Sequence, residues 1–231
     1  MFIKELINNI NSKLSHLKFE RNQNYFGWKN EKEKLFKEYI KKSEAYSHYE
    51  IDDLFYIYFI HKKICKNNNC NNVEYYFDKT IGLKLNFQNI KNKNDLITLI
   101  KEKFIQKNEQ CERCGYNSSI EISIAKLPRI LIIPLQKAER SSIVNYHEVI
   151  DIKEFVDIEL CKKDNYLYQL FATNNHLGPS PNSGHYFSEI NIRKLGHWYS
   201  FNDEYICAEH RPKIDYFNYI LFYKNKSKKI I

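Results

Sequence analysis

The sequence predicts an α+β protein, with helices towards the N-terminus and a second half built mostly of β-strands. Three observations support this prediction. Apolar residues recur at helical spacing near the N-terminus, large side chains alternate with other residues from Ile51 onwards, and two close cysteine pairs lie in the middle of the chain. With 231 residues and 43% hydrophobic side chains, the chain can bury the core of one sizeable domain. We expect no membrane contact, because no apolar run is long enough to span a bilayer.

The secondary-structure elements follow from local periodicity. Residues 2–17 carry apolar side chains on one face of an amphipathic helix, and residues 35–46 suit a second, short helix. Leu54, Tyr56, Tyr58 and Ile60 alternate as in a strand, and residues 94–104 show helical spacing again. Further strands are predicted at residues 73–77, 81–87, 118–125, 127–135, 166–173, 185–192, 197–201 and 219–223.

The chain is basic, with 36 Lys and Arg against 28 Asp and Glu and a net charge of +8. A basic surface is typical of proteins that bind nucleic acid or an acidic partner. However, only six of the basic residues are Arg, the side chain that makes bidentate contacts to bases and phosphates. Lys, Asn, Ile and Tyr all have A/T-rich codons, so coding bias explains the charge better than nucleic-acid binding does.

Four of the six cysteines form two close pairs, Cys65-x4-Cys70 and Cys111-x2-Cys114. Two such knuckles can supply four thiolates to a tetrahedral zinc ion, and Gly115 suits the positive φ that a knuckle requires. The zinc would be structural, because four thiolates leave no open position for a substrate. The alternative is that all four are reduced, partly buried thiols.

A candidate catalytic histidine follows a pair of small residues in Ser183-Gly184-His185-Tyr186, and Asn202 lies 17 residues beyond it. An imidazole that activates a thiol needs a neighbour that orients its ring. We expect the Asn202 side-chain oxygen to accept from Nδ1–H of His185, which would leave Nε2 facing the thiol. Asp203 is the auxiliary candidate for this orienting role. Taken alone, Gly-His-Tyr would more often be an ordinary surface histidine.

Neither remaining cysteine is in a convincing nucleophile context. Cys161 precedes two lysines that could lower a thiol pKa, but no helix N-terminus or glycine-lined turn is evident there. Cys207 lies in an ordinary Ile-Cys-Ala setting. The sequence therefore predicts the histidine half of a thiol site without its nucleophile.

Several motifs, in the same order, resemble the ubiquitin-specific protease class of cysteine deubiquitinases over residues 51–223. The family's Leu-Pro strand is matched by Leu127-Pro128, its histidine box by Ser183-Gly184-His185-Tyr186, and the strand with its third triad member by Trp198 to Asp203. Its zinc cysteines are matched by Cys65, Cys70, Cys111 and Cys114, and its closing strand by Tyr219-Ile220-Leu221-Phe222-Tyr223.

The resemblance implies a papain-like peptidase hand with a β-rich palm and zinc-ribbon fingers that grip ubiquitin. It implies thiol attack on the carbonyl of ubiquitin's terminal glycine, with His185 as general base and Asn202 as its orienting residue. We expect residues 1–50 to be a helical remnant of the thumb, 51–125 the fingers, 126–223 the palm and 224–231 a basic tail.

Three departures from the family pattern shape the remaining expectations. No Cys box precedes the first helix, which resembles a later family helix, so we expect the chain to begin partway through the domain, with most of the helical thumb missing. The first cysteine pair has four intervening residues where the family usually has two, and Gln136-Lys137-Ala138 replaces the usual Lys-Arg-Phe.

Two alternatives to an enzyme lacking its nucleophile segment stay open. One is a catalytically inactive ubiquitin-binding or scaffold protein, and the other is a zinc-ribbon nucleic-acid binder. We expect the partners to be ubiquitin or ubiquitinated proteins, together with a protein that covers the palm face left open by the missing thumb. Since no secretory signal is evident at the N-terminus, an intracellular location, cytoplasmic or nuclear, is expected.

Overall fold

The computed structural model describes residues 25–26, 31–44, 49–87, 94–105, 107–137, 142–162, 164–180, 183–192 and 195–227. The helix predicted within residues 2–17 and the last residues of the basic tail, 228–231, lie outside this described part. None of the described helices has both the length and the apolar character needed to cross a membrane.

The described residues form a mixed α+β structure that is rich in strands, as the sequence predicts. Its helices are α1 (Lys32–Glu44), α2 (Tyr49–Phe55) and α3 (Leu96–Lys103), with a 3₁₀ turn at Lys153–Phe155. Its strands are β1 (Tyr25–Phe26), β2 (Tyr56–Cys65), β3 (Val73–Ile81), β4 (Leu85–Phe87), β5 (Asn94–Asp95), β6 (Lys107–Gln110), β7 (Asn117–Lys126), β8 (Ile130–Lys137), β9 (Val144–Asn145), β10 (Val149–Asp151), β11 (Leu167–Ser180), β12 (Ser183–Ile192), β13 (His197–Asn202), β14 (Tyr205–Glu209) and β15 (Asn218–Asn225).

A five-stranded sheet in the order β1-β3-β2-β7-β6 carries the cysteine pairs. The long central pair, β2 and β7, is antiparallel and brings Cys65 opposite Ser118. Helix α1 covers one face of this sheet, where its Phe36 packs edge-on against Tyr58, with ring centroids 6.2 Å apart. The pairing of β2 with β7 up to Cys65 places the two hairpin turns next to each other at one end of the sheet.

An eight-stranded sheet in the order β14-β13-β12-β11-β15-β8-β4, with β10 paired to β11, carries the histidine box. The main hydrophobic core is continuous and includes side chains of both sheets and of α3. Helix α3 starts at Asp95, whose side chain accepts a hydrogen bond from the Thr98 backbone N–H at 3.1 Å. This Asp cap satisfies one of the amide donors that a helix start leaves unpaired.

The sequence-based assignment was wrong at residue 54 and at residues 82–84, which interrupt the strand predicted at 81–87. It also missed six of the described strands, namely β1, β5, β6, β9, β10 and β14. Leu54 was predicted in a strand but lies in helix α2, whose first turn contains Glu50 and Asp52. Acidic residues stabilise the N-terminal end of a helix, and the apolar alternation expected of a strand starts only at β2. The edge strands β6 and β14 were not predicted, because an exposed edge strand needs no buried face and so shows little alternation.

Candidate active site and metal centre

The candidate catalytic residues meet because β12 and β13 pair antiparallel. Ser188 on β12 lies opposite Phe201 on β13. The next residue of β13, Asn202, is therefore level with the residue before Ser188. That residue is two positions from His185, so Asn202 and His185 share a sheet face. Nε2 of His185 and Oδ1 of Asn202 form a hydrogen bond, and Oδ2 of Asp203 lies 3.8 Å from the same Nε2. The structure therefore brings together the three residues that the sequence singled out.

The imidazole ring of His185 faces Asn202 with Nε2, whereas contact through Nδ1 was expected. An amide oxygen can only accept, so the ring nitrogen facing Asn202 must be protonated, and that nitrogen is Nε2. The expected contact through Nδ1 was wrong. In a neutral ring with this tautomer, Nδ1 is the nitrogen that carries a free lone pair.

Two glycines allow strands β11 and β12 to approach closely beside His185. Gly184 has φ of +147°, and a Cβ there would lie 2.6 Å from His176 Nε2 and 2.7 Å from the Gly178 Cα. A Cβ on Gly178 would lie 2.3 Å from the Ser183 carbonyl oxygen. Any larger residue at either position would push the two strands apart and move the start of β12, which carries the histidine.

The histidine is open to solvent, since 43% of the His185 side chain is exposed. Its neighbour across the strand pair is Leu177, which is also exposed. An accessible imidazole with a fixed tautomer can exchange a proton with a group that approaches from outside the sheet. The histidine is therefore an accessible side chain and not a buried structural one.

A buried polar network farther along these strands was not found by sequence reasoning. Glu189 is buried and accepts hydrogen bonds from Thr173 Oγ1 at 3.0 Å and Asn175 Nδ2 at 3.2 Å. Asn175 in turn accepts from Asn218 Nδ2 at 2.8 Å. Strands β11, β12 and β15 are therefore joined by side chains as well as by backbone. The only sequence signal was the even spacing of Glu189 from the histidine, which puts both on one face.

The four predicted metal cysteines lie together where two hairpin turns meet. Their Sγ atoms are all within 4.8 Å of one another, with 3.5 Å between Cys65 and Cys114 and 3.9 Å between Cys70 and Cys111. Zinc–sulfur bonds of about 2.3 Å place the sulfurs of a tetrahedral site about 3.8 Å apart. The donor set and its spacing therefore fit a tetrahedral metal ion. Gly115 has φ of +69°, as the sequence predicted for a knuckle.

The thiols of this cluster have unequal pKa values. Burial acts to raise the pKa of Cys111, but the backbone N–H groups of Cys114 and Arg113, with Cys65 and Asn72, outweigh it and lower the pKa to about 6. Burial, together with the Cys114 thiol, raises the pKa of Cys70 to about 12. A cation that binds all four sulfurs must displace the remaining protons, so its affinity should rise with pH.

The other two cysteines are not placed as nucleophiles for His185. Cys161 is buried, and its Sγ contacts the Ala125 carbonyl oxygen at 3.2 Å. Cys207 lies on β14 opposite Ser200, a position level with Glu189 on β12. That offset puts Cys207 about 13 Å along the strands and about 10 Å across them from His185, or about 16 Å in all.

Comparisons with known proteins identify the family of this chain. The sequence profile of the family described as "Ubiquitin carboxyl-terminal hydrolase" matches residues 2–223. Ubiquitin carboxyl-terminal hydrolase 48 of Gallus gallus is 30% identical over 152 residues, which are 59% of this chain and 14% of that protein. Ubiquitin carboxyl-terminal hydrolase 13 of Homo sapiens is 44% identical over 57 residues, which are 25% of this chain and 6% of that protein.

Solved structures share the fold. A SAGA DUB module of Ubp8, Sgf11, Sus1 and Sgf73 bound to monoubiquitin matches with a TM-score of 0.63 and 20% identity. The match covers 85% of this chain and 48% of the solved chain. The chain thus spans about half the length of that solved neighbour and a smaller share of the curated relatives it matches.

Proposed function

The chain belongs to the ubiquitin carboxyl-terminal hydrolase family, and from that premise we propose that it is the ubiquitin-gripping, histidine-bearing part of a thiol-dependent deubiquitinase. The family match covers most of the chain, and the solved neighbour places the strand-rich fold among deubiquitinase domains. The reaction would be hydrolysis of the bond that follows the C-terminal glycine of ubiquitin.

The observation that carries this proposal is the hydrogen bond between His185 Nε2 and Asn202 Oδ1 on an accessible sheet face. With Nε2 protonated, Nδ1 would take the proton of a cysteine thiol, and the resulting thiolate would attack the glycine carbonyl carbon. The imidazolium would then return that proton to the leaving amine. Water would hydrolyse the thioester intermediate with His185 again acting as base.

The thiol itself is proposed to come from polypeptide outside residues 1–231. Two observations support this. The contacts that the described residues make with His185 Nε2 go to Asn202 Oδ1 and, at 3.8 Å, to Asp203 Oδ2. The cysteines lie in the metal cluster, in the core or on β14. The solved neighbour's chain is also about twice as long as the part that this chain covers.

The four-cysteine cluster is proposed to hold a structural zinc ion. Cys65, Cys70, Cys111 and Cys114 would be its ligands, and bound zinc would supply a covalent cross-link between the two hairpin turns of the five-stranded sheet. Since all four positions of the tetrahedron would be filled by thiolates, this ion would take no part in the hydrolysis. Its contribution would be the shape of the surface that receives ubiquitin.

Ubiquitin is the proposed ligand, because the solved neighbour with this fold is bound to monoubiquitin. A further protein is proposed to cover the sheet face beside His185, where Leu177 and Tyr205 expose large apolar side chains. Exposed apolar surface of this kind is typical of a face that packs against other polypeptide. The proposed covering polypeptide is the one that carries the thiol.

The proposal is tested on the native gene product, captured from its own cells by an antibody to this region. We expect a mass well above 27.9 kDa and turnover of a ubiquitin–fluorophore conjugate that is lost in the His185→Ala variant. A native product of 27.9 kDa that binds ubiquitin without turnover would replace this proposal with the inactive scaffold. Salt-dependent binding of nucleic acid without ubiquitin binding would instead favour the nucleic-acid binder.

A further inference from the structure

The two cysteine turns are built on the same backbone pattern. In the second knuckle (residues 111–115), the Gly115 N–H donates to the Cys111 carbonyl oxygen at 2.8 Å, and Gly115 has a left-handed φ of +69°. In the first knuckle (residues 65–71), the Asn71 N–H donates to the Asn67 carbonyl oxygen at 3.3 Å, and Asn71 has a left-handed φ of +47°. Judged by its turn, Asn67 therefore occupies the position of the ligand Cys111.

The hairpin that surrounds each turn gives a different correspondence. The Cys111 N–H donates to the Tyr116 carbonyl oxygen at 2.7 Å, which closes the second hairpin. The first hairpin is closed by the Cys65 N–H, which donates to the Asn72 carbonyl oxygen at 2.9 Å. Cys111 thus closes both its turn and its hairpin, whereas in the longer first knuckle Asn67 closes the turn and Cys65 closes the hairpin.

The side chain and backbone of Asn67 also face the sulfurs. Its backbone N–H donates to Cys65 Sγ at 3.4 Å, and its Nδ2 lies 3.9 Å from Cys114 Sγ. Its Oδ1 accepts from the Asn69 N–H at 3.0 Å, which orients the amide so that its donor end points towards the cluster. One residue therefore contacts a cysteine of each knuckle.

We propose that Asn67 is a positioning residue of the metal centre. It takes the turn position that Cys111 holds in the second knuckle, and it presents N–H groups to Cys65 and Cys114 in place of a sulfur. This role explains how the first pair tolerates four intervening residues and still delivers both sulfurs to one point. The inference rests on the metal occupancy proposed above.

Charge gives the physical reason for an amide at this position. Four thiolates around a divalent cation carry a net charge of −2, so N–H donors beside the sulfurs stabilise the filled site. Asn72 makes a similar contact with a cysteine of the second knuckle, since its Nδ2 lies 3.7 Å from Cys111 Sγ. An acidic residue at position 67 would add a third negative charge and would lack the amide donor.

The first experiment measures Co²⁺ binding to the full 231-residue chain by its sulfur-to-cobalt absorption, followed by displacement with Zn²⁺. We expect Asn67→Ala to weaken metal affinity about tenfold, the low end of the range for residues that orient metal ligands. The isosteric Asn67→Asp should weaken it further. Asn68→Ala, a change at an exposed neighbour, is the matched control and should leave affinity unchanged.

The outcomes separate this inference from the metal site itself. A wild-type chain that binds no Co²⁺ would overturn both the proposed metal site and the role of Asn67. Wild-type binding with equal affinity in the Asn67→Ala and Asn68→Ala variants would overturn only the role of Asn67. Circular dichroism of each variant with metal bound shows whether a loss of affinity comes from the site or from general unfolding.

A second experiment tests whether position 67 is equivalent to a ligand position. Cys65→Ala alone should lose the four-sulfur cobalt spectrum. The double variant Cys65→Ala with Asn67→Cys, which has two intervening residues before Cys70, should recover that spectrum. A double variant that binds no better than Cys65→Ala would overturn the turn equivalence.

Discussion

Asp52 and Lys79 form an ion pair between α2 and β3, with Nζ 2.6 Å from Oδ2 and both side chains almost fully buried. Tyr58 donates its hydroxyl to the same carboxylate oxygen at 2.7 Å, and the Lys79 ammonium lies 4.6 Å from the ring centroid of Tyr56. The pair ties the helix before the five-stranded sheet to the strands that carry the first knuckle.

Removing one partner of this pair should destabilise the chain strongly. Lys79→Met leaves the Asp52 carboxylate buried without its cation, so we expect a loss of about 3–5 kcal/mol in the free energy of unfolding. Urea denaturation followed by circular dichroism measures it. Lys37→Met, which breaks an exposed pair with Glu33, should cost under about 1 kcal/mol, and similar losses in the two variants would contradict the prediction.

The two residues beside His185 should differ in their effect on catalysis. Asn202→Ala removes the acceptor of the Nε2 hydrogen bond, so we expect kcat of the thiol-bearing native protein to fall about 100-fold. Asp203 is mostly exposed and lies 3.8 Å from the ring, so Asp203→Ala should cost less than about fivefold. Steady-state kinetics with a ubiquitin–fluorophore conjugate compare them, and a larger effect of Asp203→Ala would reverse the assignment.

Gly184→Ala should damage the site through a steric clash. A Cβ at this position meets backbone and side-chain atoms at 2.6–2.7 Å, whereas at Gly196, which also has a positive φ, it meets no heavy atom within 4 Å. Both changes carry a backbone cost of about 1–3 kcal/mol. Only Gly184→Ala should also move His185 and lower turnover. Equal turnover in the two variants would show that the close strand contact is dispensable.

Metal removal should expose thiols selectively. With metal bound, a thiol reagent should label the exposed Cys207 quickly and leave the buried Cys161 unlabelled. After a chelator removes the metal, the reagent should also label the four thiols of the cluster, because the hairpin turns lose their cross-link. Mass spectrometry counts the labels. Rapid labelling of the cluster before chelation would argue that the cysteines are not metal-bound.

Stability should fall on the alkaline side through buried tyrosines. Burial, helped by the Asp52 hydrogen bond at Tyr58, raises the pKa of Tyr58, and burial likewise raises the pKa of Tyr223 and Tyr168. The folded state then holds protons that the unfolded state releases above about pH 10. The contribution of these groups is complete below that pH and decreases as pH rises through it.

Urea unfolding between pH 8 and pH 12, with absorbance at 295 nm to follow tyrosinate, measures this decrease. Tyr223→Phe removes one of the titrating groups and should reduce the slope of stability against pH. A free energy of unfolding that stays constant up to pH 12 would contradict the assignment.

Local patterns in the sequence were enough for the strand-rich α+β class, for the cysteine pairs and for the His185 and Asn202 partners. Each depends on short spacings: period two along β12 and β13, and two to four residues within a knuckle. Helix α2 was missed because its Leu54 continues the two-residue spacing of the apolar residues in the strand that follows. Strands β6 and β14 were missed because an edge strand is defined by its partner.

Short spacings along the chain were enough to show which side chains of one strand share a face and which cysteines can reach a common point. Spacing could not show that Nε2 of His185 faces Asn202, that Asp52 pairs with Lys79, that Glu189 joins three strands or that Asn67 closes the turn of the first knuckle. These contacts depend on register between strands and on the rotation of each side chain. Both are set by packing of residues distant in the chain, which local periodicity does not encode.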